Sequence, residues 1–329
     1  MPPYRLKSWI PLDNLNLYGL SRNPLAIDLL LKNPQLINWS SLSYNPNPRA
    51  IQILRANRGR IDWGLLSANT SPAAIDLLRE NRGRIDWWRL SRNPAAIDLL
   101  RENRGQIDWV GLSANPNPAA MDLLRANDQR IDWDELSRNP AAIELLRENS
   151  DKINWWRLSA NPNPAAIDLL RANHGQINWE ELSLNSGAID LLRENRGRID
   201  WGRLTMNPNP AAMDLLRANR GRIVWGLLSN NPNPAAIDLL RENPGRINWG
   251  LISANPGIFE NPIKAATKIQ KVFRGSRGYA EWAYSPQRLK SQGYFENNMD
   301  FGKRIKRKST NSKMSLKTID RLIKLVQKM

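Results

Sequence analysis

A short sequence recurs along most of this chain at an almost fixed spacing. One copy reads IDWGLLSAN at residues 61–69, and AAIDLLREN follows it at residues 73–81. A fixed period of this length is typical of a repeat array, in which each unit packs against its neighbours. Neighbouring tryptophans are 22 or 24 residues apart, and the longer units usually carry Asn-Pro-Asn-Pro where the shorter ones carry a single Asn-Pro. The recurring tryptophans are Trp39, Trp63, Trp87, Trp109, Trp133, Trp155, Trp179, Trp201, Trp225 and Trp249.

The pattern within one unit predicts two short helices. Asp62 is a good N-cap, and Trp63 and Leu66 lie on one face of the helix that follows it. This helix must end before the Asn-Pro, because the residue that precedes a proline is disfavoured in the α conformation. The proline then suits the first turn of a second helix, with Leu78 on its inner face. We expect this second helix to end at Asn81 in the left-handed conformation.

We therefore predict an all-α fold, an α-solenoid of about ten short two-helix repeats over residues 15–257. Residues 1–14 do not match the repeat and are predicted to form an N-terminal cap. The first unit has Leu17 where the others have tryptophan. Because a core position needs apolar bulk rather than an indole, the tryptophans are interpreted as repeat core. Stacked at about 8–10 Å per layer, the units would form an object on the order of 100 Å long if uncoiled.

Polar residues recur once per unit as well. Ser67 and Asn69 have counterparts at the same position in successive units. A catalytic serine is needed once, so these ladders are interpreted as partners for backbone groups at helix ends. Asp76 and Arg79 are three residues apart, and this pairing also recurs, as in Asp168 with Arg171. It predicts an i, i+3 ion pair on a solvated helix face.

The composition argues against most catalytic chemistry. The chain has no cysteine and a single histidine, His174, which lies in the turn between two units. Disulfides and thiolate metal sites are therefore excluded, and zinc or histidine-dependent catalysis is not expected. No carboxylate pair or glycine-rich phosphate loop departs from the repeat pattern. We predict a protein that is not an enzyme and that uses no cofactor or metal.

The charge is unevenly distributed. The net charge is +17, and residues 258–329 contribute +12 of it, from 17 Lys+Arg against 5 Asp+Glu. No apolar run approaches the roughly 18–20 residues of a membrane span, and the first residues lack the apolar core of a secretory signal. We expect an intracellular soluble protein, or one built into a larger assembly. Arg-Gly-Arg turns at residues 58–60 and 82–84 place guanidiniums along one edge, where an acidic partner would bind.

Residues 258–284 contain a basic amphipathic segment that resembles an IQ motif, the helix that calmodulin-type proteins bind. Tyr279 stands where the motif has a second basic residue. A calmodulin-like partner is what the resemblance implies, and the alternative is a helix that docks onto the end of the array or onto a neighbouring subunit. The residues that fit the motif are Ile269, Gln270, Arg274, Gly275 and Trp282.

Residues 285–329 form a polar, basic tail. A run of this kind is a nuclear signal, a nucleic-acid contact or a solvated linker, and the sequence leaves these alternatives open. From Ser315 the spacing of apolar residues predicts a terminal amphipathic helix with a partner surface. The basic cluster comprises Lys303, Arg304, Lys306, Arg307 and Lys308.

The repeat IDWxxLSxNPxAIDLL resembles short repeats in proteins of nucleocytoplasmic large DNA viruses, and residues 265–275 are similar to helices common in those proteomes. The resemblance implies a virus-encoded chain. For an extended, basic-tailed protein without catalytic residues, we expect a structural role as a minor capsid protein that bridges or spaces capsomers in the virion. Its partners would be other capsid or scaffold proteins. The alternatives are a soluble adaptor in the host cytoplasm that binds an acidic protein, and nucleic-acid binding through the basic tail.

Overall fold

The computed structural model describes residues 4–260, which fall into two compact units. Residues 15–257 form the repeat array, and residues 4–14 with 258–260 form the other unit. The residues assigned to the IQ-like segment and to the basic cluster, from Ile269 to Lys308, lie outside the described residues. Their roles stay predictions.

Each repeat has a first helix of four to six residues, which begins at the recurring tryptophan. Eleven such helices occur within residues 15–257, one more than the ten or so predicted. The first helices are α1 (Leu17–Arg22), α3 (Trp39–Ser43), α5 (Trp63–Ser67), α7 (Trp87–Arg92), α9 (Trp109–Ser113), α11 (Trp133–Arg138), α13 (Trp155–Ser159), α15 (Trp179–Leu184), α17 (Trp201–Met206), α19 (Trp225–Leu228) and α21 (Trp249–Ile252).

A second helix of six to nine residues follows in ten of these repeats, and a 3₁₀ turn leads on to the next repeat. The structure is thus the predicted all-α repeat solenoid. The second helices are α2 (Ile27–Lys32), α4 (Pro48–Ala56), α6 (Pro72–Arg79), α8 (Ile97–Glu102), α10 (Pro118–Arg125), α12 (Ile143–Glu148), α14 (Pro164–Ala172), α16 (Ile189–Glu194), α18 (Pro210–Ala218) and α20 (Pro234–Glu242).

Local signals at the helix ends explain most of these bounds. The Asp62 carboxylate caps α5 by accepting a hydrogen bond from the Leu65 N–H at 3.0 Å, as the sequence predicts. Pro72 opens α6, but in a 22-residue repeat the helix starts later, because residues 94–96 form a 3₁₀ turn first. Asn81 has φ −132° and is not left-handed, so that prediction was wrong. Its side-chain amide instead donates to the Leu77 carbonyl at 2.7 Å.

A buried asparagine joins every repeat to the one before it. Asn139 Nδ2 donates to the carbonyls of Ser113 and Asn115, both at 2.8 Å, and its Oδ1 accepts from the Ala141 N–H at 3.0 Å. One side chain therefore satisfies two carbonyls of the preceding repeat and one N–H in the turn before its own second helix. The equivalent residues are Asn23, Asn45, Asn69, Asn93, Asn115, Asn161, Asn185, Asn207, Asn231 and Asn255, all buried.

A buried hydroxyl provides the second link between repeats. Ser43 Oγ donates to the Trp39 carbonyl at 3.0 Å within its helix and accepts the Asp62 N–H of the next repeat, also at 3.0 Å. Thr205 replaces serine in one repeat and accepts the Val224 N–H at 3.3 Å. The prediction that both ladders satisfy backbone groups at helix ends is confirmed.

The first and last repeats are joined by the same bonds. Asn23 Nδ2 donates to the carbonyls of Ser253 at 3.4 Å and Asn255 at 3.0 Å, and the Asn16 N–H donates to Ser253 Oγ at 2.7 Å. The array is therefore a closed ring, named here the repeat ring, in which eleven repeats together complete one turn. The expectation of an extended object was wrong, because each interface is wedge-shaped.

The wedge arises because, at most interfaces, neighbouring first helices approach one another more closely than neighbouring second helices do. A Cβ atom on Gly111 in α9 would lie only 2.8 Å from the Trp88 carbonyl oxygen in α7. Neighbouring second helices are bridged by long side chains, such as Arg55 to Glu80 at 2.9 Å. In a closed ring, the layer with the closer spacing has the smaller circumference. The first helices consequently line the lumen, and the second helices form the outer layer.

The core lies between these two layers. Leu66 from α5, with Ala74 and Leu78 from α6, is fully inaccessible to solvent, and the equivalent residues of the other repeats are buried too. On the outer face, Asp76 and Arg79 form the predicted i, i+3 ion pair at 3.7 Å. Arg171 differs, because it pairs with Glu194 of the next repeat at 2.6 Å.

The smaller unit contains the only two strands among the described residues. β1 (Arg5–Leu6) pairs antiparallel with β2 (Phe259–Glu260), with Arg5 opposite Glu260 and Leu6 opposite Phe259. The Lys7 N–H also donates to the Ile258 carbonyl at 2.9 Å. The two segments that flank the repeats in sequence thus pair with each other. A capping role for residues 1–14 stays a prediction.

Replacing an asparagine of the buried ladder should destabilise the ring strongly. We expect Asn139→Ala to lower the free energy of unfolding by about 2–5 kcal/mol, because two buried carbonyls and one N–H lose their partner. Asn57→Ala is the control, since Asn57 is exposed and makes a single side-chain bond, to the Ile53 carbonyl at 2.8 Å. It should cost less than about 1 kcal/mol in urea unfolding. Equal losses in the two variants would contradict this account.

Ring closure can be tested with a disulfide, because the chain has no cysteine of its own. A Cβ on Gly19 lies 2.8 Å from Ser253 Cβ, so a small shift reaches the usual disulfide spacing of about 3.8 Å. The double variant Gly19→Cys, Ser253→Cys should lose both free thiols on mild oxidation and migrate faster in a denaturing gel. Gly64→Cys with Ser253→Cys, two repeats further round, should keep its thiols. Free thiols in both proteins would mean an open array.

Candidate interaction surface

Three positions of each repeat lie on the side of the first helix turned away from the second helix, and they are named here the lumen positions. They are the second and third residues of the helix and the residue three after the third, as in Gly64 and Leu65 of α5 and Ala68 just after it. The third residue is buried in some repeats, such as Gly111 and Glu181. Spacings of three and four residues place the last position beside the first two on the helix surface. The intervening Leu66 and Ser67 are buried on the opposite side, towards the second helices.

These lumen positions hold the chemically most varied residues of the array. The neighbouring buried positions are nearly constant: leucine with one isoleucine, serine with one threonine, and asparagine throughout. By contrast, the second residue of the first helix differs widely among the repeats. In chain order it is Tyr18, Ser40, Gly64, Trp88, Val110, Asp134, Trp156, Glu180, Gly202, Gly226 and Gly250. The buried positions are thus fixed by packing, whereas the lumen positions are free to differ.

An ion pair across one intervening repeat shows that this face is concave. Arg92 Nη1 in α7 lies 3.3 Å from Glu135 Oε2 in α11, although α9 stands between these helices. The intervening repeat has Gly111 and Ala114 at the corresponding positions, and these small residues leave room for the bridge. Side chains two repeats apart reach each other because the lumen face curves inward.

Two exposed tryptophans belong to the same network. The Arg92 guanidinium lies 5.6 Å from the Trp88 ring centroid, and the Arg157 guanidinium lies 4.9 Å from that of Trp156. Glu135, whose side chain is 17% exposed, also accepts Arg157 at 3.5 Å. One carboxylate therefore holds two guanidiniums, each beside an indole, across four consecutive repeats. Cation–π contacts of this kind orient the rings while leaving them open to solvent.

A second charged patch follows in the next two repeats. Arg203 Nη2 lies 2.6 Å from Glu180 Oε1 and 3.5 Å from Glu181 Oε1. The hydrogen bond to Glu180 and the nearby carboxylates raise the pKa of Arg203 above its ordinary value, so this group stays charged. The lumen is consequently neither uniformly basic nor uniformly acidic.

The ten tryptophans predicted as repeat core lie at intermediate exposure, at the margin of the core rather than inside it. Basic side chains of the following turn cover several of them: Arg60 over Trp39 at 5.4 Å, and Arg130 over Trp109 at 5.2 Å. Part of the predicted arginine edge therefore packs on indoles. A cavity of about 370 Å³ at this edge is lined by Arg58, Gly59, Ile61, Trp63, Asn81 and Arg84.

His174 is exposed in its turn, with its ring edge-on to Trp179 at 5.3 Å. Within residues 4–260, no group of three or more His, Asp or Glu side chains is arranged to hold a metal ion. In the same part of the chain, no helix has the length and apolar character needed to cross a bilayer.

With this geometry established, comparison with known proteins adds no family: neither a family model, nor a curated protein, nor a solved structure matches the chain. The resemblance to viral repeat proteins stays a prediction. The lumen positions were missed by the sequence analysis, which looked for what the repeats share. Comparing the repeats position by position for what differs would have found them.

Asp62 lies at the border of the lumen face and has a shifted pKa. Burial raises the pKa of its carboxyl, but the hydrogen bonds and nearby charge lower it more, so the pKa lies below its ordinary value. The lowering groups are the Ser40 hydroxyl, which donates at 2.6 Å, the Leu65 N–H and the Arg89 guanidinium. A carboxyl with a depressed folded pKa stabilises the fold above its unfolded pKa and loses that contribution as the pH falls.

We expect Asp62→Asn to keep the helix cap, since Asn154 caps α13 in the same way, but to remove this titration. Wild type should lose more stability than Asp62→Asn as the pH falls below the unfolded pKa of about 3.9 and through the lower folded pKa. Urea unfolding at several pH values measures the difference. Asp62→Ala is the control for the cap and should be about 1 kcal/mol less stable than Asp62→Asn at every pH. Parallel pH profiles for wild type and Asp62→Asn would contradict the assignment.

Proposed function

We propose that this chain is a non-enzymatic interaction scaffold, and that the repeat ring binds a protein partner through its lumen face. The observation that carries the proposal is the segregation of residues. The positions that join the repeats are constant and buried, whereas the most varied positions share one concave face and include exposed side chains. Packing within the ring does not require that variety, so a partner is its most economical explanation.

Exposed aromatic residues support a protein partner. Trp88 and Trp156 are 49% and 46% exposed, although neither position needs an aromatic residue, because glycine fills it in other repeats. Tyr18 is 49% exposed at the same position of α1. Tryptophan, tyrosine and arginine are the residues that most often dominate binding energy at protein interfaces. The lumen contains all three.

A peptide display selection against the full-length chain tests this proposal. The lumen variant is Trp88→Gly with Trp156→Gly, since Gly64 and Gly202 show that the repeat accepts glycine there. The control is Asp98→Ala with Asp122→Ala on the outer face, where both side chains are 78% exposed. Peptides enriched on wild type should bind the lumen variant at least about ten-fold more weakly and bind the control equally well. Peptides that bind the lumen variant as tightly as wild type would refute the proposed site.

The finer form of the proposal is a minor capsid protein that bridges or spaces capsomers in the virion of a large DNA virus. Its support is the resemblance of the repeat, together with the near-identical units. Quantitative mass spectrometry of purified particles, before and after the major capsid shell is stripped, tests it. A fixed ratio to the major capsid protein is the expected result. Absence from particles would leave a soluble adaptor as the scaffold's role.

A further inference from the structure

We propose that the lumen of the repeat ring binds a single acidic polypeptide segment whose apolar side chains rest on Trp88 and Trp156. This inference rests on the proposed function and adds the chemistry of the partner. The binding site comprises the lumen positions of the fourth to seventh repeats, α7 to α13. It is named here the tryptophan sector.

The tryptophan sector offers two exposed indoles, three repeats apart, to the apolar side chains of a partner. Trp88 and Trp156 are about half exposed, and Val110 of α9 is 44% exposed between them. Gly111 and Ala114 of the same repeat add almost no side-chain volume. Apolar side chains of a partner that rest on these residues would contribute about 25 cal/mol for each Å² of apolar surface buried.

The charge of the tryptophan sector favours an acidic partner. Its lumen positions hold four arginines, at 89, 92, 138 and 157, against Asp134 and Glu135, and Arg89 is already paired with the N-cap Asp86 at 2.8 Å. Arg92 and Arg157 share the Glu135 carboxylate, so one of these two positive charges has no counterpart of its own. Arg138 is exposed and forms no ion pair with any residue in the described part of the chain. Carboxylates from a partner could pair with Arg138 and with the excess positive charge of Arg92 and Arg157.

The width of the lumen favours a single segment over a folded domain. At about 8–10 Å per helix, eleven first helices make a ring about 28–35 Å across between helix axes. Subtracting a helix diameter of about 10–12 Å leaves a free width of about 20 Å. One α-helix or an extended chain fits this space. A domain of about 50 residues, with a radius of gyration near 10 Å, does not.

Carboxylates in the same lumen disfavour nucleic acid. Asp134 and Glu135 lie inside the tryptophan sector, and Glu180 and Glu181 lie in the next repeat. A polyphosphate backbone that followed the lumen would approach all four. A peptide can place its own carboxylates beside Arg138 and Arg92 while keeping neutral residues next to the acidic side chains. Single-stranded DNA is therefore the competing probe rather than the expected ligand.

Fluorescence anisotropy with the full-length chain tests the inference. The probes are a labelled peptide of about 15 residues with leucine at helical spacing and glutamate elsewhere, its glutamine and lysine counterparts, and oligo-dT. The variants are Trp88→Gly with Trp156→Gly, and Arg138→Ala, which copies Ala68 and Ala114 of other repeats. Every protein keeps the basic residues 303–308, so binding to the tail is common to all and cancels in the comparison.

We expect the glutamate peptide to bind wild type most tightly among the peptides. The tryptophan variant should weaken it at least about ten-fold. Arg138→Ala should weaken binding of the glutamate peptide about three-fold and leave binding of the glutamine peptide unchanged, because only the glutamate side chains offer a carboxylate to Arg138. Urea midpoints equal to that of wild type would show that the variants fold.

Three outcomes would overturn the inference. Tryptophan-dependent binding that is tighter for the glutamine or lysine peptide would refute an acidic partner but keep the lumen as a protein-binding site. Tryptophan-dependent binding of oligo-dT alone would reassign the lumen to nucleic acid. Binding that ignores both variants would refute the inference and the proposed function together.

Discussion

The repeat ring depends on one side chain used eleven times. Each ladder asparagine donates its two amide hydrogens to the preceding repeat, and its oxygen accepts the N–H two residues further along its own repeat. Asparagine suits this position because its amide presents two donors and an acceptor in one plane. A buried carbonyl without a donor costs about 1–3 kcal/mol, so the register between repeats is specified at every interface. The same bonds between Asn23 and the last repeat close the ring.

Ring closure places different demands on the inner and outer residues of a repeat. The inner layer must be narrow, and Gly19 and Gly111 occur where neighbouring first helices leave little room for a side chain. The outer layer is wider, and several arginines reach across it to a glutamate of the next repeat, as from Arg125 to Glu148 at 3.1 Å. Where the next repeat has alanine at that position, as at Ala172, Arg147 turns back to Glu144 at 3.0 Å. Outer contacts are thus adaptable, whereas the asparagine and serine bonds are not.

Much of the fold follows from local chemistry that a sequence displays openly. The aspartate cap of α5, the proline at the start of α6 and the serine and asparagine ladders were all predictable from one repeat. Ring closure was not, because it depends on the difference in spacing between two layers, which no single repeat reveals. The lumen site was hidden for a related reason. In the sequence, Trp88 and Arg92 look like neutral variation between repeats. Their association becomes evident only in the ring, whose curvature brings Glu135, two repeats away, beside Arg92.

A closed ring also fixes how many repeats the gene can encode. An open solenoid gains or loses a unit by duplication or deletion at little cost, because only one end changes. Here the eleven interfaces together make one full turn, so the angle at each interface is tied to the number of repeats. A twelfth repeat would require every wedge to become narrower at once, or the seam between Asn16 and Ser253 to break. Diversification in such a gene is therefore expected to proceed by substitution at the lumen positions while the number of repeats stays constant.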